Sequence, residues 1–316
     1  MKAQSQSTLR HQISCTGIGL HSGKKIHMCL RPAAAGSGII FKRIDVPRDA
    51  QIIPAHYARV SNTMLGTTLS NDAGVEIATV EHLMAALLGC GVDNALVELD
   101  GSEVPIMDGS ASPFVFLIEC AGLRRLVEPR RFLRILDTVR VDAVGGYAQI
   151  SPGEGFSADF EIEFDSSVIE QQSYSFVFSR AGFKIDLCRA RTFGFLEDVE
   201  GLRKNGRAQG GSLDNAVVID GAAILNHGGL RYADEFVRHK VLDAIGDLYL
   251  AGAPVLGHFT GVRSGHRLTN MLLREVFARP DAWTYETRSD GLAAPAVPAE
   301  SADICEPAPV SAARIA

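Results

Sequence analysis

VEHLMAALLGCGVDNALVEL, residues Val80–Leu99, and VRHKVLDAIGDLYLAGAPVLGHF, residues Val237–Phe259, decide the fold between them. Laying His82 over His239 also brings Val80 onto Val237, Leu87 onto Ala244, Leu88 onto Ile245 and Gly89 onto Gly246. Each stretch reads as an apolar helix, a glycine-containing turn and a strand rich in β-formers. Thr79 and Asp234 stand where N-caps belong, and both residue types accept bonds from a helix's first free N–H groups. A repeated helix–turn–strand predicts two similar domains built from one duplicated α+β unit. Each would be a small sheet layered against helices.

The surrounding sequence favours strands. KKIHMCLRPA, NALVELDG, VRVDAVGGYAQISP and SADFEIEFD alternate or cluster β-formers between turn residues. SPFVFLIECAGL, residues Ser112–Leu123, reads as a helix beginning at Ser112 with Pro113 in its first turn. The basic, proline-bearing Gly122–Ile135 segment is the expected joint. The domains are therefore expected at residues 1–126 and 127–290, with an Ala/Pro-rich, disordered tail at 291–316.

Composition removes several classes. The 316 residues are 46% hydrophobic and 22% charged, the balance of a globular protein with room for two domains. A net charge of −6 argues against general nucleic-acid binding, although a local basic patch could hold a phosphate. No apolar run has the length of a membrane span, and the first residues lack the core of a signal peptide, so a cytoplasmic protein is expected. Cys15, Cys29, Cys90, Cys120, Cys188 and Cys305 form no C-x-x-C pair and are expected as free thiols.

The Val237–Phe259 stretch carries His239, Asp243 and Asp247 one helical turn apart. With nine histidines and 37 acidic residues in the chain, about one His–carboxylate pair at this spacing is expected by chance. The spacing alone fits a solvated ion pair. The repeat adds His82 at the matching place, with Glu81 beside it. Two histidines and an aspartate form a catalytic-type zinc set, whose fourth position stays open for water. A carboxylate next to a ligand can take a proton from that water. His266 in RSGHRL is a candidate acid for a leaving group, with Asp247 as the carboxylate that would hold its imidazole. Thr192 in RARTFGF is a candidate donor to an oxyanion. Two rivals stand beside the zinc amidohydrolase: a non-catalytic nucleotide-sugar or lipid-binding α+β protein, and a structural protein with satisfied core histidines.

TVEHLMAAL, IMDGSASPF, RARTFGF, GGSLDNAVV, EFVRHKVLDAIGDL and SGH occur here in one order. In this the chain resembles the LpxC family, the zinc-dependent UDP-3-O-acyl-N-acetylglucosamine deacetylases of the committed step of lipid A biosynthesis. The resemblance runs from about Leu9 to about Glu286. It implies an active site between the two α+β domains and one Zn²⁺ held by His82, His239 and Asp243, a ligand set that also suits Fe²⁺. It implies Glu81 as general base, His266 as acid or electrostatic stabiliser oriented by Asp247, and Thr192 at the oxyanion. It further implies a UDP-linked acylated amino sugar as substrate, with its N-acetyl group released as acetate.

The same resemblance assigns the substrate contacts. Lys240 would reach the diphosphate, Phe164 would stack on uracil, and His21 would touch the nucleotide. Phe193, Phe195, Leu202 and Ala208, within Phe193–Ser212, would line an apolar passage for the acyl chain. The glycines of Gly210–Ser212 would let backbones approach closely there. Met64 and Leu65 would line the entrance to the metal. Gly66 departs from relatives that carry cysteine, so no thiol is expected on that side of the metal. Relatives can carry a C-terminal degradation signal, and PVSAARIA, residues Pro309–Ala316, is permissive of recognition by a protease. The expected enzyme is a monomer without stable membrane insertion or nucleic-acid partner.

Overall fold

The computed structural model describes residues 4–288. The expected tail and Cys305 lie outside the described residues. Six α-helices occur among these: α1 Glu81–Cys90, α2 Ser112–Ala121, the single turn α3 Arg180–Gly182, α4 Leu196–Lys204, α5 Glu235–Leu248 and α6 His266–Ala278.

Two main sheets repeat one plan. Across the first, the strands run Ile13–Ile18, Lys25–Pro32, Ala95–Leu99, Ile39–Arg43 and Ile52–Pro54. Across the second they run Val139–Ala143, Gly146–Ser151, Val255–Val262, Phe156–Glu163 and Gln171–Val177. In both, the last of the five along the chain enters the middle, antiparallel to the second strand and parallel to the third. In both, one helix precedes that central strand (α1 or α5) and another follows it (α2 or α6). Gly91 and Gly252, at φ 78° and 82°, turn the chain from helix to strand in the left-handed region that glycine enters freely. The duplicated α+β unit read from Val80–Leu99 and Val237–Phe259 is therefore present in order, direction and turn. The second sheet adds Arg131–Ile135 and Trp283–Thr287 at one side.

The expected joint, Gly122–Ile135, carries two strands. Leu123–Pro129 pairs antiparallel with Ser5–Leu9, and Arg131–Ile135 then enters the second sheet. The four predicted strand runs all form strands, and α2 begins at Ser112 with Pro113 in its first turn. The two N-caps need correction. Thr79 lies outside α1: its φ is 59°, Val80 occupies the cap position, and the Thr79 hydroxyl donates instead to Glu103 Oε1 at 3.1 Å. Asp234 does precede α5, but its carboxylate binds Arg238 Nε and makes no cap bond.

The helices of the two halves meet in the middle, where α1 packs on α5. All of α1 is buried, and α5 buries Phe236, Val241, Leu242 and Ile245 together with Glu235, His239, Asp243 and Asp247. Each fully buried Phe, Leu, Ile or Val contributes about 1.5–3 kcal/mol, which makes this helix pair the rigid centre of the molecule. An insert interrupts each unit at the same place, between its fourth strand and its first helix. The first contains Val60–Asn62, Thr68–Ser70 and Glu76–Ile77; the second contains Phe193–Phe195, α4, Val217–Asp220 and Ala223–Ile224.

Candidate metal centre

Helix periodicity and the α1–α5 contact together build the site. One turn of α5 separates His239 from Asp243, and the start of α1 supplies His82. Asp243 Oδ1 lies 3.5 Å from His82 Nε2 and 3.4 Å from His239 Nε2. The two imidazoles meet edge to face, with centroids 4.9 Å apart. All three side chains are buried, and one ligand atom from each falls within 4.8 Å of the others. The row on α5 is thus no wet surface.

Their protonation suits a cation. His239 Nδ1 lies 3.0 Å from the Ala190 carbonyl, which can only accept, so the proton sits on Nδ1 and the Nε2 lone pair faces Asp243. Burial lowers the His239 pKa to about 4 against the pull of Asp243, keeping the ring neutral. Burial would raise the Asp243 pKa, but the Lys240 and His266 cations beside it hold it well below the usual carboxylate range, so it stays ionised. Its Oδ1 is buried and has no hydrogen-bond partner among the described residues. An orphaned carboxylate oxygen facing an imidazole lone pair is costly unless a positive charge sits between them. The residues present therefore fit a divalent metal with a His₂Asp set.

Further contacts fix Glu81, His266 and Lys240. Glu81 is buried, and burial raises its pKa against the influence of His266 and His82. Its Oε2 accepts the Thr67 N–H at 2.9 Å. Asp247 accepts the Thr67 hydroxyl at 2.6 Å on Oδ1 and His266 Nδ1–H at 2.7 Å on Oδ2. Burial opposes a charged His266, yet Asp247 outweighs it and lifts the pKa to about 9. The His266 Nε2 stands 3.9 Å from Asp243 Oδ2. Lys240 Nζ bonds the same Oδ2 at 2.8 Å.

These groups open onto a cavity of about 870 Å³. Glu81, His82, Thr192, His239, Lys240, Asp243 and His266 all line it. Asp247 stands behind His266, outside the wall. Phe164, Phe193, Phe195, Leu202 and Ala208 also line it, and Phe164 packs edge to face on Phe193 at 5.6 Å. Leu65 and His21 belong to the wall, but Met64 does not: it is 62% exposed, and its carbonyl accepts from Arg207 Nη1 at 3.0 Å. Met64, adjacent in sequence to the wall residue Leu65, donates its N–H to Asn62 Oδ1 at 2.9 Å. Gly66, at φ 154°, holds no thiol; a Cβ there would stand 2.9 Å from Glu81 Oε1.

Several residues around the site were given no role in the sequence reading. Thr67 ties Glu81 to Asp247 from within GTTLS, a run without a signature. Arg191 and Glu235 form a buried pair, with Nε to Oε1 at 2.8 Å and Nη2 to Oε2 at 3.1 Å, which fixes the segment carrying Ala190 and Thr192. Arg203, Arg263 and Arg267 add positive charge to the cavity wall. The five described cysteines are free thiols. Among the described residues no helix is long and apolar enough to cross a membrane.

The family model for UDP-3-O-acyl N-acetylglycosamine deacetylase matches residues 6–278. A Vibrio parahaemolyticus protein named UDP-3-O-acyl-N-acetylglucosamine deacetylase is 50% identical over 297 residues, covering 93% of this chain and 97% of the relative. Proteins of that name from Acidithiobacillus ferrooxidans and Legionella pneumophila are each 51% identical over 282 residues, covering 89% of this chain and 92% of the relative. An identity of one half across nearly the whole of both partners leaves no room for a shared fragment on an unrelated fold, and the chain belongs to the LpxC family.

Proposed function

We propose that the cavity is the active site of a metal-dependent deacetylase in which His82, His239 and Asp243 hold one Zn²⁺ and Glu81 is the general base. The reaction is the family's: the N-acetyl group of UDP-3-O-acyl-N-acetylglucosamine is hydrolysed to acetate and the free amine, in lipid A biosynthesis. When bound, the cation supplies a Lewis acid for the acetamide carbonyl and for the attacking water.

The protein's own groups do the rest. Glu81, raised by burial, accepts the proton of the attacking water at its free carboxylate oxygen. The Thr192 hydroxyl donates to the oxygen that gains charge as the amide carbon becomes tetrahedral. His266, held by Asp247, delivers a proton from Nε2 to the departing amine. Lys240, Arg263 and Arg267 face the diphosphate, and Phe164 offers its ring to uracil. Phe193, Phe195 and Leu202 take the acyl chain. Residues 1–126 and 127–290 are the two domains in this reading, since each five-stranded core draws its strands from one side of that division. A monomeric state and the cytoplasmic location expected from the sequence complete this reading.

The observation that carries the proposal is the orphaned Asp243 Oδ1 between two imidazole Nε2 atoms, beside a buried carboxylate that a mere binder has no use for. The test is metal analysis of the purified protein with acetate release from the UDP-acyl-sugar, before and after chelation. One Zn²⁺ per chain and activity that falls on chelation and returns with Zn²⁺ are expected. Return with Fe²⁺ but not Zn²⁺ overturns the metal's identity, and turnover untouched by chelation overturns the site.

A further inference from the structure

Glu103 is buried at 2% exposure, yet among the described residues no lysine, arginine or histidine pairs with it. Its carboxylate is satisfied by three donors instead. Oε1 accepts the His21 N–H at 2.8 Å and the Thr79 hydroxyl at 3.1 Å; Oε2 accepts the Ser22 N–H at 2.9 Å. A buried carboxylate without a counter-ion is expensive, and it persists where its acceptors are needed to hold backbone in place.

The backbone it holds is the Gly19–Lys24 loop of the first half. That loop meets the Arg207–Gly211 segment of the second half main chain to main chain: Gln209 N–H donates to His21 O at 3.2 Å, and Gly210 N–H to Leu20 O at 3.0 Å. The His21 ring joins the same seam. Its Nδ1 accepts the Ala208 N–H at 3.4 Å, and its Nε2–H donates to Leu65 O at 3.3 Å. The seam leaves no space for side chains. A Cβ on Gly210 would stand 2.3 Å from Gly19 O, and one on Gly19 would stand 2.3 Å from Glu103 Oε2. Leu20, His21, Ala208 and Gly211 all line the main cavity, so this clasp between halves is part of its wall.

We propose that Glu103 is a positioning residue for the acyl chain of the substrate: by gripping the His21 and Ser22 N–H groups it clamps the Gly19–Lys24 loop onto the Arg207–Gly211 segment and closes the wall of the apolar passage. This rests on reading the cavity as an acyl passage. Both ring nitrogens of His21 are engaged in the seam, which makes its imidazole a wall element rather than a free hand for the nucleotide. Glu103 touches no reacting group and acts through the loop.

The test compares the full-length, zinc-loaded enzyme with E103Q and G210A, on UDP-3-O-acyl-N-acetylglucosamines carrying a long or a short 3-hydroxyacyl chain. E103Q keeps the shape but turns an amide N–H₂ toward a backbone N–H; G210A pries the same seam from the other half. Both are expected to raise KM for the long chain about tenfold, the scale of one lost charged hydrogen bond, with little change in kcat, zinc content or short-chain KM. If the parent itself shows equal KM for both chains, the passage reading falls. If the parent prefers the long chain and E103Q keeps the parent's KM ratio, the role of Glu103 falls. A loss confined to kcat, equal for both chains, also overturns it, since the carboxylate would then act through Thr79 on the start of α1.

Discussion

Gly246 lies directly against the backbone of Glu81: a Cβ at position 246 would stand 2.0 Å from the Glu81 carbonyl oxygen and 3.1 Å from Ala85 N. This contact sets how closely α5 approaches α1, and hence whether His82 can reach the pair on α5. Gly246→Ala is expected to push the helices apart, costing about 1–3 kcal/mol as overpacking does, and to weaken zinc binding. Denaturant unfolding and a competitive zinc titration measure the two effects. A variant with the parent's midpoint and zinc affinity would show that the helix spacing does not depend on this contact.

The proposed function gives Glu81 and the His82–His239–Asp243 set different tasks, which experiment can separate. Glu81→Gln keeps the shape and the Thr67 N–H partner but cannot take a proton. It is expected to keep one zinc per chain and to lose about 10²–10⁴-fold in kcat. His239→Ala is expected to lose both metal and turnover. Zinc content and acetate release measured on the same preparations check this, and a Glu81→Gln enzyme near parental rate removes Glu81 from the role of base.

The parts legible in sequence were those written locally. The α1 and α5 helices, their left-handed glycines and the strands after them follow from apolar spacing and turn chemistry. That is why the repeat could be seen and why His82 found its partner on α5. The Thr79 cap failed because a residue 24 positions on, Glu103, claims its hydroxyl, and local propensity does not know of distant acceptors. The supporting roles of Thr67, Arg191 and Glu235 were invisible for the same reason, although Arg191 and Glu235 stand inside the motifs RARTFGF and EFVRHKVLDAIGDL. Their partners lie 14 to 180 residues away and are joined only once both halves have packed. Met64 and Leu65 share a dipeptide and both are exposed, yet of the two only Leu65 lines the cavity; neighbouring loop residues carry no periodicity from which to read this.

Acid should weaken the buried ion pair that supports the site. Glu235 is fully enclosed, and burial alone would raise its pKa; Arg191 and the N–H groups of Arg191 and Arg231 reverse this and lower it. A folded-state pKa below the unfolded one stabilises the protein above the unfolded value, near 4.5. That stability is lost as pH falls through the folded value. Glu235→Gln should therefore be less stable at neutral pH, by about 3–5 kcal/mol because Arg191 keeps its buried charge without a partner. Its stability should also fall less steeply below about pH 4.5 than the parent's. Urea midpoints across this range decide it; parallel curves for parent and variant would mean that Glu235 does not titrate with unfolding.

Thr67 holds the Glu81 and Asp247 carboxylates in one frame. Its N–H serves Glu81 and its hydroxyl serves Asp247, whose other oxygen holds His266. Thr67→Val preserves volume and the backbone bond but leaves Asp247 Oδ1 buried and one donor short. The expected cost is about 1–3 kcal/mol of stability, with kcat lowered about tenfold as His266 loses its fixed orientation. KM and zinc content should hold, since neither the cavity wall nor the ligands change, and Thr67→Ser, which restores the hydroxyl, should recover most of the rate. Thermal unfolding, steady-state kinetics and metal analysis on the three proteins test it together. A valine variant at full kcat, or a serine variant no better than valine, would mean that Asp247 holds His266 without help from Thr67.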